Sequence, residues 1–260
     1  MLANGYQHSF RANLGKAVIE LKRYLPNTIS MLVLFYSIFV FLLLGVRFIG
    51  DPSTADTSVK YLLVANGFWF LLLNCVSSMG WDLSTEALRG TLEQLYMSTV
   101  PTWAILLFRI IATLLINLVI LAVMTVLSML TAGQWLNFEL ASLAAILPPT
   151  FLAAIGLAYL VAGMTIVYKQ INSFLQVFQI VLMGIAYVPL ATAPILELAP
   201  TAKGIDMLRL VMAEGASLAS FGAADWASVW VSGALYFALG FVAFKLFERH
   251  AMRLGLLGHY

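Results

Sequence analysis

Six apolar runs, separated by shorter polar segments, constrain this 260-residue chain more than any other feature. They cover residues 28–47, 61–80, 103–130, 141–167, 174–190 and 226–244. A bilayer core of about 30 Å asks for roughly 20 apolar residues per helix, so each run is of spanning length or close to it. Backbone polar groups find no partner in hydrocarbon, and barrel strands would show alternating segments of about ten residues, so runs of this length mean helices. Composition agrees, with 62% hydrophobic and 10% charged residues against about 45–50% and about 25% in soluble domains. The expected fold is an all-α polytopic membrane protein, a single transmembrane domain over residues 1–260 with six transmembrane helices.

An even number of spans returns the chain to the side on which it starts. If that side is cytoplasmic, the inner segments hold Arg11, Lys16, Lys22, Arg23, Arg89, Lys169, Lys245, Arg249 and Arg253, nine basic residues against four outside, Arg47, Lys60, Lys203 and Arg209. That excess predicts cytoplasmic termini in a cell membrane. Arg109 lies inside the third run, two turns from its inner end, and admits two readings: a shallow anchor that snorkels to the interface, which is favoured, or a buried functional charge. The net charge of +2 gives no reason to expect nucleic acid. Met1 to Lys22 carries scattered charges and no small-residue cleavage site, so it does not resemble a secretory signal.

Four segments outside the runs have their own pattern. In residues 1–27, Phe10, Leu14, Val18, Leu21 and Leu25 recur at helical steps with charges on other faces, which predicts an interfacial amphipathic helix stopped at Pro26. In residues 81–102, a cytoplasmic helix is expected over Ser84 to Met97, with Leu88, Leu92 and Leu95 on one face and Glu86, Arg89 and Glu93 on another. Glu86 falls near its positive end, and Pro101 closes the segment. Residues 191–223 are apolar but broken by Pro194 and Pro200, which reads as a re-entrant or interfacial hairpin on the outer side. Residues 245–260 form a cytoplasmic tail.

Catalytic constellations are missing. No phosphate-cradling G-x-x-x-x-G-K-[ST] occurs, so ATP would have to bind another chain. His8, His250 and His259 are far apart and Cys75 stands alone, so no metal spacing exists. No G-x-S-x-G is present and no run pairs two carboxylates, so the chain is not expected to be an enzyme. The runs do carry polar stripes: Asn66, Phe70, Asn74 and Ser77 in the second, and Asn172, Gln176, Gln179 and Met183 in the fifth. Amides avoid lipid, so these faces either glue helices together or line a hydrated path. Ala154, Ala158 and Ala162 form a small-residue ridge suited to close packing, and Trp226 and Trp230 suit interfacial anchoring.

The segment from Glu86 to Leu95, followed by Pro101, resembles the signature loop of type-2 ABC exporter permeases, most specifically in Gly90-Thr91-Leu92-Glu93. Pro200-Thr201, Asp206, Leu208-Arg209 and Gly215 resemble that family's outer hairpin, and Glu248 to Gly255 its basic C-terminal tail. The resemblance implies a permease subunit without a fused ATPase, embedded in the lipid bilayer and paired with a second permease, as homo- or heterodimer. It also implies a separate ABC ATPase in two copies, which holds ATP and Mg, and no cofactor in this chain. Glu86, Arg89, Gly90, Thr91, Leu92 and Glu93 would form the ATPase-coupling helix, with Gly90 allowing close backbone approach. Asn66, Phe70, Asn74, Ser77, Gln176, Gln179 and Met183 would line the pathway at the permease interface. Alternating access would carry an amphipathic, lipid-linked or drug-like substrate outward. Two alternatives stand beside this reading. A secondary transporter or channel would want intramembrane acids or inverted repeats, which the chain does not show. A noncatalytic membrane scaffold would dock a partner other than an ATPase.

Overall fold

The computed structural model describes residues 2–255; the end of the predicted tail, 256–260 with His259, lies outside the described residues. The described elements are α1 (Leu2–Arg23), α2 (Leu25–Ile49), α3 (Ala55–Leu88), α4 (Leu92–Tyr96), α5 (Thr102–Ala132), α6 (Leu140–Tyr168), α7 (Asn172–Tyr187), α8 (Ala202–Arg209) and α9 (Ala223–Arg253), with no strand among the described residues. Five of these, α2, α3, α5, α6 and α9, are long and apolar enough to cross a membrane. The fifth predicted run forms a shorter helix, α7, of 16 residues, about 24 Å at 1.5 Å per residue. It stops because Val188 precedes Pro189, and a residue before proline is pushed into the extended region it adopts here.

Two predicted boundaries shift for local reasons. The first break in the chain falls at Tyr24, and Pro26 sits in the first turn of α2, where its missing N–H removes no helical hydrogen bond. Within α1, Phe10, Leu14 and Leu21 are half-buried, whereas Val18 and Leu25 are exposed. The expected helix over Ser84 to Met97 is cut in two at Gly90, whose φ of +69° is left-handed. The Thr91 N–H donates to the Glu86 carbonyl at 3.0 Å and the Gly90 N–H to that of Ala87 at 3.1 Å, the paired bonds that close a helix when glycine follows its last residue.

α3 is buried along most of its length at the centre of the bundle, while α2, α5 and α9 turn most of their surface outward. The closest pairing is between α6 and α9. A Cβ on Gly240 would come within 1.9 Å of the Gly156 carbonyl oxygen, so only glycine permits this approach of backbone to backbone. Ala154, Ala158 and Ala162 are fully buried, as their ridge led one to expect.

Two further sets of contacts between helices lie at opposite ends of the bundle. At the α1 end, the Phe10 ring meets Phe108 of α5 edge-on at 5.8 Å, and the Ser84 hydroxyl donates to the Lys169 carbonyl at 2.7 Å. At the other end, Gln134 donates to Asp56 at 2.7 Å, and Arg47 donates to the Ala132 carbonyl at the end of α5. There the segment after α7, read from sequence as a re-entrant or interfacial hairpin, is broken into short turns around α8. Arg209 fastens it: 1% exposed, the guanidinium pairs with Asp206 at 2.8 Å and donates to the Ala186 carbonyl at 2.7 Å. Burial draws its pKa below the ordinary arginine value, and the Asp206 carboxylate opposes that.

Candidate functional site

The residues singled out around Gly90 occupy the α1 end. Leu92 is buried and holds α4 against the bundle, while Arg89, Gly90 and Glu93 are exposed and Thr91 is half-buried, its hydroxyl donating to the Glu86 carbonyl. Leu88 and Met97 join the exposed surface at 60% and 83%, so two apolar side chains flank two opposite charges. Sequence periodicity grouped Leu88 with Leu92 and Leu95 on one face of one helix. The break at Gly90 instead releases it outward.

Glu86 belongs to the last turn of α3, the negative end of a helix dipole, and not to a positive end as expected. Its neighbour compensates. The Arg109 guanidinium of α5 lies 3.0 Å from the Glu86 carboxylate, with the two side chains only 10% and 22% exposed. Arg109 is therefore turned into the protein and not out to the interface, which corrects the shallow-anchor reading. Arg109 Nε and Nη1 and Glu86 Oε2 are buried without a hydrogen-bond partner among the described residues. An opposite charge on each of two neighbouring spans, near the same end, was the sequence signal for this pair.

Tyr96, at the end of α4, was not singled out by its sequence context. Its hydroxyl is buried without a hydrogen-bond partner among the described residues, and burial first, then the nearby Glu248 carboxylate of α9, pushes its pKa well up. Glu248 is itself 5% exposed and pairs with Lys245 at 2.7 Å. The short helix α4 thus abuts α9, while the α3 end beside it is pinned to α5.

The polar stripes belong to α3 and α7, which pack against each other. Asn66 is 1% exposed and accepts a hydrogen bond from the Tyr187 hydroxyl at 2.7 Å. Phe70 is buried with its ring edge-on to Phe35 of α2 at 5.0 Å, and Ser77 is buried as well. Asn74 is half-buried and donates to the Phe70 carbonyl at 2.8 Å within its own helix. On α7, Gln176 is exposed and Gln179 and Met183 are half-buried. The Gln179 backbone carbonyl, not its amide, accepts from the Trp69 ring N–H at 3.4 Å. Asn66, Phe70 and Ser77 therefore face the interior of this chain, and the outward members of the set are Asn74, Gln176, Gln179 and Met183.

Comparison with known families gives one match: residues 43–242, most of the chain, fit the family described as ABC-2 family transporter protein. The matched stretch contains the segment around Gly90 and the hairpin around Arg209, and leaves out α1. No curated protein matches the chain.

Proposed function

Since the chain belongs to the ABC-2 transporter family and is a permease subunit of an ABC transporter, we propose that it exports its substrate by transmitting the closure of a separate ATPase from the surface around Gly90 into the spans. The observation that carries this reading is the attachment of that surface. Its exposed side presents Leu88, Arg89, Glu93 and Met97, while its inner side is tied to α5 through Glu86 and Arg109 and abuts α9 through Tyr96 and Glu248. A push on α4 is passed to the end of α3 and, through Glu86 and Arg109, to α5.

In this reading α7 is the sixth crossing, the termini are cytoplasmic, and two ATPase copies meet a pair of permeases. The outward residues Asn74, Gln176, Gln179 and Met183 lie at the pathway between the permeases, and Asn66, Phe70 and Ser77 stiffen its wall from behind. ATP and Mg belong to the ATPase. The few charges on these helices suit an amphipathic, lipid-linked or drug-like substrate moving outward.

Glu93→Lys tests the assignment. Because Glu93 is exposed and makes no ion pair among the described residues, reversing its charge is expected to leave the permease inserted and folded. Capture of the ATPase by tagged permease should weaken, and ATP turnover should uncouple from export. Wild-type capture together with wild-type export would overturn the coupling role.

A further inference from the structure

α5 and α6 follow one another in sequence yet hardly touch, because each leans on α3. A slot of about 390 Å³ opens between them. Its floor is α3, where Gly67 carries no side chain and Leu121 packs over it; a Cβ there would come within 2.7 Å of Leu121. Ala122 and Val126 of α5 stand exposed at its mouth, in the middle of a helix of spanning length. Phe138, 55% exposed, and Met212 line the end toward the hairpin, where the Asn137 N–H donates to the Met212 carbonyl at 2.8 Å.

The mouth therefore opens along the middle of α5, which as a span places it within the bilayer core. Among the lining residues Thr125 alone has a polar side chain. A buried water needs two to four polar partners and finds at most one hydroxyl here, so water does not fill the slot. An empty slot would forfeit packing contacts along every wall. A helix with its side chains, about 10 Å across, is too wide to enter. What remains at that depth is hydrocarbon. We propose that the slot is a binding site for one acyl chain of a membrane phospholipid from the leaflet on the hairpin side, held as a resident wedge between α5 and α6. The site is independent of what the permease carries and needs only that these helices span the bilayer.

The test uses the full chain, purified in detergent after reconstitution with a phospholipid bearing a diazirine midway along its acyl chain. Exhaustive detergent washing removes loosely held lipid, and irradiation then fixes what is left. Native mass spectrometry should show a phospholipid retained on the permease, and the adducts should map to peptides containing Gly67 or Ala122. Peptides from the outward face of α2, around Phe41 and Phe48, should carry none. Ala122→Trp, which plugs the mouth, should abolish retention while the melting temperature holds; Ala122→Leu replaces it if the larger side chain prevents insertion. Thr125→Cys should stay unreactive toward a charged, water-borne thiol reagent. The proposal is overturned by a folded permease that keeps no lipid, by adducts confined to other surfaces, or by retention unchanged in the plugged variant. Rapid modification of Thr125→Cys would show water in the slot, and a disulfide between copies through that position would show a second permease there; either outcome also overturns it.

Discussion

Arg109 gives up most of its hydration to lie 3.0 Å from Glu86, and three polar atoms of the pair are left without a partner among the described residues. Such a pair adds little net stability, because desolvation offsets the Coulomb attraction, but losing one partner strands the other charge. Arg109→Met is therefore expected to destabilise the permease by about 3 kcal/mol, the low end for a broken buried pair given that Glu86 keeps some exposure. The double variant Glu86→Leu with Arg109→Met should recover most of that loss in thermal melting, since no lone charge remains. If the pair also transmits force, the double variant should melt like the wild type and still export poorly. Recovery of both properties would confine the pair to stability. The partnership was only half legible in the sequence: Arg109 stood out as a charge within a span, but no periodicity links residues on different helices.

At the scale of elements, the pairing of α6 with α9 has no room for error where Gly240 meets Gly156. Gly240→Ala puts a methyl group into a carbonyl oxygen and should cost at least the upper end of the about 1–3 kcal/mol usual for overpacking. Gly45→Ala on α2, where nothing lies within 4 Å of the added carbon, should stay within about 0.5 kcal/mol. Melting of both variants in the same detergent checks the contrast. Gly156 and Gly163 on α6, and Gly233 and Gly240 on α9, are each seven residues apart, a spacing that returns to one helix face after two turns. That signal was present in the sequence, but the more numerous alanines of the same span drew the reading. The helix break at Gly90 was obscured in a similar way, because Leu88, Leu92 and Leu95 keep helical steps across it, and a periodic pattern carries no mark of where the backbone reverses its φ.

For the whole molecule, the bilayer made the sequence legible: it demands long apolar helices, and five of the six runs appear as such. What it does not dictate is which faces meet, so the burial of Asn66 against Tyr187 and the fastening of the hairpin by Arg209 emerge only from the folded chain. The orientation inferred from basic residues predicts that a thiol at Ser53→Cys is labelled by an impermeant reagent on intact cells, whereas one at His8→Cys is labelled only after the membrane is opened. The opposite pattern would invert the molecule. The contact between α6 and α9 also governs how the protein is made. More than fifty residues separate the end of one helix from the start of the other, so at about 5–20 residues per second a ribosome needs several seconds to supply the partner. During that interval the glycine face of α6 has no matching face from α9 to pack against.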